Sequence, residues 1–388
     1  MRIEPTPPQE AYRRTAADFA ARSIRSRAGE LDAAGHFPAA IVDEAAGLGL
    51  LGVTISGDDG GAGRDTVAYA LALEAVAAAS AAVAMILAVH NSLVAEVVAR
   101  FGSDDQRRTW LRRLASGQSL GACALAEPDA AAGAGAGARG VAAARDGEHH
   151  VLNGRTAWVA NAGAAEIFVV FATSEAGGER GRPGAFLVPG DAPGLERAAA
   201  PDALGVRGLD CRDLVFQDVR LGGDARLGAP GDARRVRDWA LDGVRVATGA
   251  LAVGIGQAAF DEALAHASRT QAEGAPLGRR QAVRSTLADT ATDLDAARLL
   301  VLKAAAARDQ QERCTIEASM AKLAAAEAAR RAADRTVQLL AASAYERGST
   351  AERLLRDARA ADIYHGTSTV QRLTLAAELL GEASGLRE

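Results

Sequence analysis

Apolar residues recur at helical spacing from the start of the chain to about residue 118. "PAAIVDEAAGLGLLGV" (38–53) places them in steps of three and four and closes on glycines, and "SGDDGGAG" then reads as a loop. "LEAVAAASAAVAMILAVH" (73–90) is apolar enough to raise the question of a membrane span. Alanine and serine dilute it, and Glu74 and His90 bracket it closely, so it reads as a buried core helix. "NSLVAEVVARFG" continues the period, and "SDDQRRTWLRRLASG" starts on a candidate N-cap, Ser103, and stops at Gly117.

The period changes over 119 to about 228. "EIFVVFAT", "GAFLVPG" and "DLVFQDVRL" are short Val- and Phe-rich runs bounded by Gly, Pro and Asp, and they predict strands. "HHVLNGRTAWVANA" predicts a hairpin with Asn153-Gly154 as its turn. "DAAAGAGAGARG" (129–140) reads as a low-complexity, mobile loop. From 229 to 388 the helical period returns in long segments with short links, such as 243–270 and 315–346, which predict an antiparallel four-helix bundle. The expected architecture is mainly α with a small β domain: residues 1–118 helical, 119–228 β, 229–388 a helical bundle.

Composition sharpens this picture at three points. Hydrophobic residues make up 49% of 388 and aromatics 4%, with alanine throughout, which favours helix. A net charge of -5 with no dominant basic face argues against nucleic-acid binding. The three cysteines, Cys123, Cys211 and Cys314, are far apart and form no CxxC pair, so neither a disulfide framework nor a metal site is expected, and a reducing cytoplasm fits. The N-terminus carries no apolar signal segment.

Five stretches, taken in order, resemble one family. They are "HNSLVAEVVARFGSDDQRRTWLRRLASG", "CALAEPDA", "LNGRTAWVANAGAAEIFVVFAT", "LGVRGLDCRDLVFQDVRL" and "RLLRDARAADIYHGTSTVQR". Their order and separations resemble the acyl-CoA dehydrogenases from about residue 8 to 384. The resemblance implies an N-terminal helical domain, a central β-barrel or sandwich domain and a C-terminal four-helix bundle. It also implies FAD held between the β domain and the bundle, often across a subunit boundary, in a homotetramer or smaller homo-oligomer. The implied activity is α,β-desaturation of an acyl thioester, with electrons passed on to an electron-transfer flavoprotein.

That chemistry needs a base within about 3 Å of a weakly acidic α-proton. In most of the family the base is the glutamate of a Tyr-Glu-Gly-Thr turn, which here reads Tyr364-His365-Gly366-Thr367. A minority place the glutamate before an arginine on the first long bundle helix, and here that position is Val244, before Arg245. Neither position carries a carboxylate. Three readings of His365 stand open. Neutral imidazole, with an ordinary pKa of about 6.5, replaces the base. Alternatively, His365 orients a thioester for non-redox chemistry, or it fills space in a site that has lost its chemistry and serves as a partner subunit to an active paralogue.

The resemblance also assigns binding roles. Ala126 and Ala160 stand where the family has flavin-contacting threonines, and Trp158 stands where an aromatic packs on the flavin. An ordinary buried tryptophan is the plain alternative for Trp158. Arg269 lies one place before the family's pyrophosphate arginine, which falls at Thr270, and Glu273 replaces a phenylalanine. Arg279 and Arg280 are candidates to compensate. Gln338, Thr367, Ser368 and Gln371 match further cofactor contacts, while the glycine pair after Gln338 becomes Ala341-Ala342. Ala131-Ala132-Gly133 lacks the serine that contacts the pantetheine arm, so the carrier is left open between CoA and a carrier protein. His90, Asp242, Arg245, Tyr364 and Gly366 are candidates to line the substrate site. For Asp242 and Arg245 the plain alternative is a surface i, i+3 pair, and for His90 a satisfied core histidine.

Overall fold

The computed structural model describes residues 4–125, 140–174, 183–272 and 274–381. Helices α1 (Pro7–Phe19), α2 (Ala28–Ala34), α3 (Ala39–Gly47), α4 (Thr66–Ala77), α5 (Ala81–His90), α6 (Glu96–Phe101) and α7 (Asp104–Ala115) come first. The apolar run 73–90 breaks where Ser80 leaves helical geometry and accepts a hydrogen bond from the Val83 N–H at 3.4 Å. A π-helical turn, Asn91–Ala95, then carries α5 directly into α6. Ala81–Phe101 and Ala233–Arg269 are long and apolar enough to cross a membrane, yet in each the most apolar stretch is 89% buried by the rest of the fold. Ser103 caps α7 as the sequence predicts: its hydroxyl accepts from the Gln106 backbone N–H, and the Gln106 side-chain Oε1 accepts from the Ser103 N–H.

The central unit holds β1 (Gly121–Ala124), β2 (Ala142–Asp146), β3 (His149–Val159), β4 (Ile167–Ser174), β5 (Pro183–Pro189), β6 (Leu195–Arg197) and β7 (Arg212–Leu221). They form one sheet in the order β1-β4-β2-β3-β7-β6, with β5 paired to β4. Along β4, Phe168 and Val170 point into the β domain's own core, while Ile167, Val169 and Phe171 join the helical core. Burial on both faces explains why that stretch is apolar at every position.

Asn153-Gly154 does not form the hairpin turn. The turn is Gly147-Glu148, between Asp146 and His149, with Gly147 at φ 62°. Asn153 and Gly154 lie inside β3, where the register against β7 slips. Gly154 sits at φ 128°, and a Cβ there would lie 2.6 Å from the Gly140 carbonyl oxygen. The Asn153 side chain exchanges two hydrogen bonds with Asp218, both 2.9 Å. The dipeptide serves a bulge and a close backbone approach. The low-complexity stretch 129–140 lies, apart from Gly140, outside the described residues.

The C-terminal unit comprises α8 (Ala233–Arg269), α9 (Gln281–Gln310), α10 (Thr315–Leu340), α11 (Thr350–Ile363) and α12 (Ser368–Leu379). A buried row of alanines on α10, including Ala321, Ala325, Ala329 and Ala332, lets the helices approach closely. The first domain locks onto the bundle through a buried ion pair, Arg308 to Glu96 at 2.7 Å, with the guanidinium 4.1 Å from the Trp239 ring centre.

Candidate active site

The turn between α11 and α12 carries His365 at φ 58° and Gly366 at φ 93°. A left-handed backbone is costly for a histidine and persists only where its surroundings impose it. Here three groups do so. Lys322, fully buried on α10, donates from Nζ to the carbonyl oxygens of Asp362 (3.0 Å) and Gly366 (2.7 Å). Gln371, fully buried on α12, donates from Nε2 to the carbonyl oxygens of His365 and Gly366, both at 3.1 Å. Thr367 starts α12, its hydroxyl accepting from the Val370 N–H at 3.3 Å.

The His365 ring is partly buried. Its Nδ1 meets the Thr248 hydroxyl of α8 at 2.8 Å, and among the described residues no protein group is bonded to Nε2. Desolvation pushes the imidazole down to about 3, and the charges of Lys322 and Arg245 act in the same direction. The ring is therefore neutral near pH 7. Burial likewise pushes Lys322 down to about 8, against the nearby Asp362 charge. Tyr364 turns its hydroxyl to Cys211 Sγ at 3.1 Å, and burial pushes that thiol up to about 11. Both side chains line a small crevice with Val206, Leu209 and Asp210.

Several expected residues sit differently. His90 is fully buried, with Nε2 3.1 Å from the Leu114 carbonyl oxygen and Nδ1 accepting from the Gly121 N–H at 3.0 Å. Both ring nitrogens are used by backbone, so His90 is a satisfied core histidine. Asp242 and Arg245 are not a surface pair: both are buried on α8, 3.6 Å apart. The Asp242 carboxylate accepts from Cys314 N–H and the Thr315 hydroxyl, while Arg245 Nε is buried with no hydrogen-bond partner among the described residues. Trp158 is not an ordinary buried tryptophan. It lies at φ 54° in the bulged end of β3, 53% exposed, and its backbone N–H donates to Asp213. Ala160 beside it is buried. Arg269 and Gln338 are exposed on α8 and α10. Ala126, the 131–133 stretch and Glu273 lie outside the described residues.

The site thus brings together Thr248, Lys322, Tyr364, His365, Gly366, Thr367 and Gln371, with Arg245 close enough to act on the ring by charge. Thr248, Lys322 and Cys211 were missed from sequence. The available signals were a threonine on an otherwise apolar face of α8 and a single lysine within the alanine stretch of α10.

Comparison with known proteins agrees with this architecture. Models of the acyl-CoA dehydrogenase N-terminal, middle and C-terminal domains match residues 6–118, 122–219 and 234–380. The human mitochondrial short-chain specific acyl-CoA dehydrogenase is 40% identical over 94% of this chain and 88% of its own length. Butyryl-CoA dehydrogenase from Megasphaera elsdenii superposes with a TM-score of 0.93 at 31% identity, covering 98% of this chain and 100% of that one. A glutaryl-CoA dehydrogenase from Mycobacterium smegmatis in complex with FADH2 gives a TM-score of 0.90 at 25% identity, covering 99% and 97%. The chain belongs to the acyl-CoA dehydrogenase family, FAD-dependent oxidoreductases that act on CH-CH groups.

Proposed function

We propose that this protein desaturates an acyl thioester between its α- and β-carbons, with His365 in the place of the usual glutamate base. One observation carries the reading: an imidazole stands on the strained turn between α11 and α12, held there by Lys322 and Gln371, with no protein group bonded to Nε2 among the described residues. The α-carbon loses its proton to Nε2 while the β-hydrogen leaves as hydride. FAD, when bound, supplies the hydride acceptor. Burial and the cations Lys322 and Arg245 disfavour the imidazolium that proton abstraction forms, so the base is weak and gives its proton up readily after each turnover. The two cations also favour negative charge developing on the thioester oxygen nearby.

The residues present suit the flavin. The half-exposed Trp158 offers a bare aromatic face, which would pack on the ring beside Ala160. Arg269, exposed in the last turn of α8 and without a hydrogen-bond partner among the described residues, would meet the pyrophosphate. Gln338 and Thr367 would hold the remainder, while Gln371, fully buried beneath the turn, would act only by holding that turn in place. Exposure of Arg269 and Gln338 on one protomer suits contacts made across a subunit boundary. Tyr345, Leu373, Leu379 and Leu380 are exposed at the C-terminal end of the chain and supply apolar surface for such a homo-oligomer. An electron-transfer flavoprotein is the proposed electron acceptor.

The purified protein should be yellow, and anaerobic addition of a matching thioester from a panel of CoA and carrier-protein esters should bleach it. A colourless protein that refuses added FAD would overturn the redox reading in favour of a partner subunit or non-redox chemistry.

A further inference from the structure

We propose that Thr248 is the positioning residue of this site: its hydroxyl fixes His365 as the Nδ1–H tautomer and presents the Nε2 lone pair to the substrate. The catalytic consequence rests on the reading of His365 as proton acceptor. The tautomer itself rests on hydrogen-bond geometry alone.

Thr248 is fully buried on α8. Its Oγ1 lies 2.7 Å from the Val244 carbonyl oxygen one turn earlier and 2.8 Å from His365 Nδ1. A hydroxyl has one proton and a carbonyl oxygen has none to give. Both contacts are satisfied together only if the hydroxyl donates to Val244 and accepts from Nδ1–H. The reverse choice would press two oxygen lone pairs together inside the bundle and strand a buried acceptor contact. The chain of donors therefore runs from Nδ1–H through Oγ1–H to the backbone of α8. No carboxylate hydrogen-bonds the ring among the described residues, and the charged neighbours that act on it, Lys322 of α10 and Arg245 of α8, are both cations. A neutral orienter fixes the tautomer without placing a counter-charge beside the ring. When the α C–H bond breaks and Nε2–H forms, its electron pair becomes the new C=C π bond, while the β C–H pair leaves with the hydride, which FAD would accept when bound. The Nδ1–H bond to Thr248 is the same before and after. Val244, which occupies the family's alternative base position, contributes through its carbonyl.

The test is 15N NMR of the FAD-loaded protein labelled at histidine, with the His365 signals assigned by their loss in H365Q. The wild type should show a pyrrole-type Nδ1 and a pyridine-type Nε2. Thr248→Ser should keep that pattern. Thr248→Val should populate the other tautomer and, with one orienting hydrogen bond gone, lower kcat by roughly tenfold at little changed KM. A pyridine-type Nδ1 in the wild type overturns the proposal, even if Thr248→Val fails to fold. So does an unchanged pattern in a folded Thr248→Val. Full turnover in H365Q would instead remove His365 as the base and leave the tautomer result standing.

Discussion

Several residues other than glycine are held in costly conformations. Trp158, Asn161, Val206, Asp210, Ala341 and His365 all have positive φ, which is unusual for residues with side chains. Ala341, at φ 51° and ψ −123°, keeps a bend where the family's glycine would be unstrained. Ala341→Gly should therefore stabilise the protein by about 0.5–1 kcal/mol, after allowing for the extra freedom glycine gives the unfolded chain. A shift of the urea midpoint to higher concentration checks this. Lys322 invites a second substitution. Lys322→Met removes the donor to two turn carbonyls and a cation beside His365, so stability should fall by about 1–3 kcal/mol. The His365 pKa, followed by NMR, should rise. His90 gives a pH dependence. Burial holds it at about 4 in the fold, against its ordinary 6.5. Below pH 6.5 the unfolded chain takes up a proton that the folded chain refuses. Stability should drop between pH 6.5 and 4, by up to about 1.4 kcal/mol per pH unit from this group. Denaturation curves at pH 7, 6 and 5 read it.

Helices and strands were the most legible level of the sequence. The helical runs, the Ser103 cap and the Val- and Phe-rich strands correspond to elements in the structure, because each rests on local patterning, although the run 73–90 is divided between two helices at Ser80. The Asn153-Gly154 turn failed because the same dipeptide that suits a hairpin also suits a bulge. Its use as a bulge depends on β7 and on the approach of Gly140, both distant in sequence. Close packing of α8 on α4 makes a testable demand at this scale. A Cβ on Gly254 would lie 2.3 Å from the Glu74 carbonyl oxygen and 2.8 Å from the Ala77 side chain. Gly254→Val should cost at least about 1–3 kcal/mol by forcing the helices apart. Thermal unfolding should report that loss.

At the scale of the whole molecule, helical, β and helical units share a core that runs from Tyr12 to Ala361, and the site lies where α8, α10, α11 and α12 meet. The family fold survives alanine at the glycine pair and histidine at the base position, because packing patterns and catalytic side chains are separate demands on the sequence. That is why the architecture was readable and the site only partly so. His365 stood out as a motif departure, whereas Thr248 and Lys322 acquire meaning only once three helices converge on one turn. His90, whose plain reading in sequence is a satisfied core histidine, is spent on backbone contacts. The most direct measurement is anaerobic flavin reduction by a substrate thioester in wild type, His365→Ala and His365→Glu, each loaded with FAD. Abolished reduction in the alanine variant, with reduction restored or raised in the glutamate variant, is the predicted result. Undiminished reduction in His365→Ala would contradict the role of His365 as the base.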